Sequence, residues 1–366
     1  MKWLAGVAAV AVALWAGAAG ARKVSRTHAA PQLLSETGLY SDFRRHVVAP
    51  ENLQYSPQYP LWTDGAAKRR WFRLPPGTSI DGSKPDGWVF PVGTRFWKEF
   101  AFDGRRVETR YLERQGDGTW LYATYAWNAD ETEAVLVPDK GLLRAYPLSG
   151  GQAHAIPGIN DCKICHQGRS TEVLGFGALQ LSPDRDPNAL HGEPMPAPGV
   201  DLNYLVKHKM LRGLPKALLD TPPRIAAASP TERAALGYLH GNCGHCHSDD
   251  SQQKNLEFAL RHALTQGPGA LERAIATTVL HPVKARASGQ TEDAVFRIEP
   301  GHPERSVVIQ RMSSRYAALQ MPPLGTVIVD NEATTLISRW IAETSAPGAA
   351  SVPPDGSGTA HRDEGQ

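Results

Sequence analysis

The chain has 366 residues, with 39 Lys and Arg against 37 Asp and Glu and a formal net charge of +2 at neutral pH. That near-neutral balance is spread along the chain and leaves no electrostatic footprint for nucleic acid, while the length suggests two or three domains. Glycine (34) and proline (29) are plentiful, which favours loops, short strands and short helices over long bundles.

In chain order, Lys2 is followed by an apolar run over residues 3–21, dominated by alanine, valine and leucine. Small residues at Ala16-Gly17-Ala18 and Ala19-Gly20-Ala21 offer cleavage sites, and Arg22-Lys23 begins a polar stretch. This layout predicts a secretory signal peptide over 1–21 and a periplasmic mature chain. The alternative is an uncleaved anchor, because the run is long enough to span a thin bilayer. Membrane association is expected only in that case. Residues 22–60 are mixed and proline-bearing and read as an extended lead-in.

From 61 to about 150 the texture changes. Trp71-Phe72, Trp88-Val89-Phe90 and the aromatic runs near 96–102, 107–112 and 120–127 alternate with turn pairs such as Asp81-Gly82 and Asp103-Gly104. Short runs at regular spacing with such turns predict an antiparallel β domain, a sandwich or small barrel. Within it Val107, Thr109 and Tyr111 alternate with Arg106, Glu108 and Arg110, which predicts one buried and one wet face. Six of the nine tryptophans fall in this region (Trp62, Trp71, Trp88, Trp97, Trp120, Trp127). They read as core and edge packing rather than as a sugar-binding or docking surface. No catalytic triad, phosphate loop or diagnostic carboxylate pair is present.

All four cysteines lie in two copies of Cys-x-x-Cys-His: Cys162-Lys163-Ile164-Cys165-His166 and Cys243-Gly244-His245-Cys246-His247. The pattern predicts attachment of two covalent haem c groups, each through two thioethers, with the adjacent histidine on the iron. Cys162, Cys165, Cys243 and Cys246 are the attachment residues, and His166 and His247 the proximal ligands. Disulfides within each pair are the bland alternative in an exported chain, but they leave both histidines unexplained. A four-thiolate zinc site is a second alternative, and the gap from Cys165 to Cys243 is wider than zinc-ribbon spacings.

Asn160-Asp161 read as the cap of a short helix that begins at the first motif. For that motif's sixth ligand, Met195 stands out in Glu193-Pro194-Met195-Pro196-Ala197-Pro198, a rigid proline loop. Histidines 154, 191 and 208 are alternatives, whereas Met210 follows Leu202, Leu205 and Val206 at helical spacing and reads as core. Before the second motif, Ser229-Pro230-Thr231-Glu232 forms a capping box with proline at the first helical position. This predicts a helix to about His240. Gln320-Met321-Pro322-Pro323 offers a distal thioether on a stiff loop, and Met321 is expected to bind the second iron. Asp330 caps a predicted helix with Ala333, Leu336, Ile337, Trp340 and Ile341 on one face. His245 faces away from the iron in an ordinary attachment loop and is not proposed as a ligand. His281 and His302 read as surface histidines. Residues 345–366 are rich in Pro, Gly, Ser and charge and are expected to be disordered.

Helix, attachment motif, methionine loop and amphipathic last helix together make residues 229–343 resemble a class I cytochrome c domain. In that family the first and last helices cross near a glycine and an aromatic, and Gly237-Tyr238 and Trp340 stand where those are expected. The whole chain resembles a family of exported di-haem c-type cytochromes with an N-terminal β-rich region. The matching stretches are residues 59–69, 90–94, 242–247 and 300–306. The resemblance implies architecture more than activity.

The sequence therefore predicts an α+β multidomain chain. An antiparallel β domain (61–150) is followed by mainly α-helical, cytochrome c-like haem regions at 151–225 and 226–344. The expected function is one-electron transfer between redox partner proteins. The alternative is a haem enzyme of peroxidase or small-molecule dehydrogenase type with an open first haem, and a third possibility makes the β region a docking module.

Overall fold

A computed structural model describes residues 27–167, 170–251, 253–267, 269–283 and 295–345. The predicted signal peptide, and the predicted tail beyond its first residue, lie outside the described residues. The segment expected to be an extended lead-in is structured from residue 27 onward. A 3-10 turn at Leu34–Thr37 precedes a small pair, β1 (Tyr40–Asp42) and β2 (Val47–Val48), and β3 (Leu53–Gln54) joins the main sheet. Leu34 and Leu39 are fully buried.

The aromatic runs then become β4 (Ala67–Arg73), β5 (Ile80–Asp81), β6 (Arg95–Phe102), β7 (Arg105–Arg114), β8 (Trp120–Trp127) and β9 (Ala134–Leu136). Six strands form one antiparallel sheet in the order β3-β4-β6-β7-β8-β9. The β6–β7 connection is two residues, Asp103 (φ 50°) and Gly104 (φ 79°), the left-handed pair whose twist matches the strands it joins. β10 (Leu142–Pro147) pairs with β11 (Ala153–Ile156), and β5 pairs in parallel with the later β12 (Leu211–Arg212).

Cross-strand register sorts the side chains by face. Trp71, Trp97, Tyr111 and Ala123 lie in one row across β4, β6, β7 and β8. They form a core with Leu34 and Leu39 from the N-terminal segment. One residue along, Phe72, Phe96, Leu112 and Tyr122 point to the opposite face. That face is covered by Val173, Phe176, Ala178, Leu181 and residues 200–211.

Helices follow: α1 (Ile159–His166), α2 (Leu202–Lys207), α3 (Ala217–Asp220), α4 (Pro230–Asn242), α5 (Gly269–Ala276), α6 (Val307–Ser313) and α7 (Asn331–Glu343). Ser229 Oγ accepts the Glu232 N–H at 3.1 Å, and the Glu232 carboxylate accepts the N–H of Ala228. Asp330 Oδ1 accepts the Ala333 N–H at 3.0 Å, so both long helices start at side-chain caps. Ala333, Ile337, Trp340 and Ile341 of α7 meet Ala235, Leu236, Tyr238 and Leu239 of α4 in a second core.

The expected fold class is corrected here. Among the described residues the structure is β-rich with a large antiparallel sheet, 25 % helical against 21 % strand, and the seven α-helices there do not amount to mainly α-helical cytochrome domains. Among the described residues only α4 and α7 are helices longer than eight residues. The reason lies in the punctuation: Pro183, Pro187, Pro194, Pro196 and Pro198 crowd the segment between α1 and α2, and proline breaks the helical ladder. That segment crosses the sheet as ordered loop. Among the described residues, no helix is long and apolar enough to cross a membrane.

Candidate functional site

The first motif is the last part of α1. Asp161 accepts the Gly158 N–H at 3.0 Å, and the Ile159 N–H reaches Asp139 O at 3.0 Å. The helix start is thereby tied to the turn after β9. Cys162, Cys165 and His166 then line one cleft with β-sheet residues Arg70, Lys98 and Arg110. The cleft encloses about 1230 Å³ of empty space, open solvent included.

His166 donates from Nδ1 to the Glu172 carbonyl at 2.6 Å. This fixes the ring and the tautomer and leaves Nε2 as the electron-pair donor. Burial pushes its pKa down to about 3, so the imidazole is neutral. Burial raises the Cys162 thiol, with the Arg110 guanidinium and a hydrogen bond from Thr124 opposing.

Opposite the motif, register places Arg70, Lys98, Arg110 and Thr124 in one row across four strands. Like charges directly opposed across strands are destabilising, and this row holds three cations. Arg70 is 4 % exposed; one of its nitrogens pairs with Glu193, and Nη2 is buried with no partner. Burial, then the neighbouring Arg70, Lys68 and Arg110 charges, hold Lys98 well below the usual lysine range. Arg110 pairs with Glu108 at 2.7 Å and lies 4.2 Å from the Phe100 ring centroid. The alternation predicted a wet face here. Instead Glu108 is fully buried, and Arg110 lines the cleft.

The second motif follows α4 without a break. The Cys243 N–H bonds to Leu239 O, and the His247 N–H to Cys243 O, both at 2.9 Å. Cys243 packs against the second core, and burial pushes its thiol up to about 12. His247 stands 4.7 Å from the Phe258 ring, and its Nδ1 is buried without a partner. Asn242, just before the motif, accepts the Trp62 N–H at 2.7 Å and donates to Pro60 O at 3.2 Å. Two stretches far apart in sequence, 59–69 and 242–247, thus meet.

Met321 is half-buried, and its N–H bonds to Arg311 O at 3.0 Å. Pro322, Leu324, Gly325 and Thr326 of its loop line the first motif's cleft. The loop is anchored where Asp64 Oδ1 accepts the N–H groups of Val327 and Ile328 at 2.7 and 3.2 Å. Met195 is half-buried, and its neighbours Glu193, Pro194 and Pro196 line an adjoining cleft that shares Tyr55, Leu61 and Trp62 with the first motif's. Among the described residues lining the first motif's cleft, neither methionine appears. Met210 packs against the first core.

The alternative histidines are engaged elsewhere. His154 is buried between Asp64 (3.0 Å) and Glu108 (3.2 Å), one carboxylate at each ring nitrogen. His191 bonds to Asp330 at 2.8 Å, and His208 stacks on Tyr204. One histidine that sequence reasoning set aside does line the cleft: His245. Its place between two cysteines was the only signal, and it pointed to the second motif rather than the first. Among the described residues no group of three or more His, Cys, Asp and Glu is gathered to hold a bare metal ion, so the four sulfurs do not meet as a zinc site would require.

No family model, curated protein or solved structure matches the chain.

Proposed function

We propose that the chain is an exported di-haem c-type cytochrome that passes single electrons between redox proteins in the periplasm. The observation that carries this reading is one cleft: two cysteines and a neutral, oriented histidine face an in-register row of cations. The residues fit a covalent haem at both ends. Cys162 and Cys165 would hold its vinyl edge, and Arg70 Nη2 and Lys98 would neutralise its two propionates. The unpartnered buried donor on Arg70 costs about 1–3 kcal/mol without such an anion.

Bound haem supplies reversible Fe(III)/Fe(II) chemistry. His166 would offer Nε2 to the iron, and its Glu172 bond keeps the ring from turning. Cys243, Cys246 and His247 would hold the second haem, and Met321 would offer it a thioether. A neutral thioether would favour ferrous iron and raise the potential, and the Asp64 anchor holds that loop in place.

The test is haem stoichiometry in a host that matures c-type haem. The pyridine haemochrome should report two covalently bound haems per chain, and Cys162→Ala with Cys165→Ala should leave one. A colourless protein overturns the reading.

A further inference from the structure

We infer that His245 is the sixth ligand of the iron held at the first motif, lent across the cleft by the attachment loop of the second. The inference rests on the di-haem reading and deepens it.

His245 lines the cleft that Cys162, Cys165 and His166 line. Its Nδ1 is buried and has no hydrogen-bond partner among the described residues. A buried polar nitrogen left in that state costs about 1–3 kcal/mol, and coordination through Nδ1 removes the penalty.

The loop that carries His245 is pinned. A Cβ at Gly244 would stand 2.7 Å from His240 O and 2.9 Å from Arg261 Cα. Only glycine allows that approach, and it fixes where the next side chain leaves the backbone. The competing histidines are engaged elsewhere. Both nitrogens of His154 face carboxylates, His191 is held by Asp330, and Met195 is absent from the lining of this cleft.

Ligation is a lone-pair donation from a neutral ring nitrogen to iron; no bond breaks, and no proton or electron leaves. Its consequence is directional. Histidine–histidine ligation gives the first iron a lower potential than histidine–methionine gives the second, so electrons run downhill from the first haem to the second. The two sites are also joined by backbone, because His245, Cys246 and His247 are consecutive.

The experiment uses the full, haem-loaded chain. Near-infrared magnetic circular dichroism and electron paramagnetic resonance of the ferric protein should show one bis-imidazole haem and one histidine–methionine haem, both low-spin. His245→Ala should turn one of the two haems high-spin and open it to cyanide, leaving the other unchanged. His245→Met should keep that haem low-spin and raise its potential. Two histidine–methionine haems in the wild type, a high-spin first haem, or a first haem that loses its ligand in Met195→Ala overturns the assignment. So does a fully low-spin His245→Ala protein. Should His245→Ala mature poorly, the wild-type ligand signatures decide alone. A chain that carries no covalent haem overturns the di-haem reading itself, whereas two loaded haems that ignore the substitution overturn only His245.

Discussion

Lys98 sits between Arg70 and Arg110 on neighbouring strands, beside the Phe100 ring at 4.9 Å. With haem bound, its propionates would favour the protonated Lys98, and that charge would favour ferrous over ferric iron by an amount on the order of 1 kcal/mol at an effective dielectric of 20. Lys98→Met is therefore expected to lower the potential of one haem and leave the other alone, as read by potentiometric titration. His154 offers a second test at this scale. Burial lowers its pKa, but the hydrogen bonds to Asp64 and Glu108 outweigh that and raise it above the ordinary value, with Arg110 opposing. The folded state therefore holds the proton more tightly. The resulting stability is fully present below about pH 6.5, the unfolded value, and is lost as pH rises through the raised folded value. In that window wild-type stability should fall by up to about 1.4 kcal/mol per pH unit. Thermal unfolding of His154→Gln should show a flatter profile there. An unchanged slope would exclude His154 as the group responsible.

Among the elements, α4 shows how the N-terminal region and the second motif are held together. Gly237 lies against the Tyr59 ring so closely that a Cβ would come within 2.0 Å of Cε1. The family resemblance expected that glycine at a crossing of the first and last helices. The two helices do share a core through Tyr238 and Trp340, while Gly237 itself receives Tyr59. Gly237→Ala is expected to cost about 1–3 kcal/mol by overpacking, measured by chemical denaturation; a neutral result would mean that the ring moves aside freely. What the sequence made legible at this scale is local. The caps at Ser229 and Asp330, the Asp103-Gly104 turn and the apolar face of α7 each depend on residues a few positions apart. What stayed hidden is cross-chain. Arg70, Lys98 and Arg110 become one cationic row only once strand register is known, and alternation alone made Arg110 look wet. His245 reaches the first motif's cleft because α4 docks on Tyr59, a contact that no local pattern encodes.

At the scale of the molecule, the question is whether the sheet is a separable docking module. Its buried face argues against that. Phe176, from the loop segment after α1, lies 4.8 Å from the Tyr55 ring, 4.9 Å from Phe72 and 5.1 Å from Phe96. The first core therefore joins the sheet to the segment that follows the first motif, and Cys162 packs on it. Tyr59, from the chain leading into β4, belongs to the second core with α4 and α7. Removing 22–150 would strip the cationic wall from the first motif and the Trp62 and Pro60 contacts from Asn242. Burial on this scale dominates folding free energy at about 25 cal/mol per Å², so both cores would open to water. Such a truncated chain is expected to lose the low-spin spectrum of the first haem and to unfold at lower denaturant, while the full chain unfolds in one cooperative transition. Two intact haem spectra after the deletion would make the sheet a module in its own right. The shared cores and the cationic row make it instead one wall of the first motif's cleft.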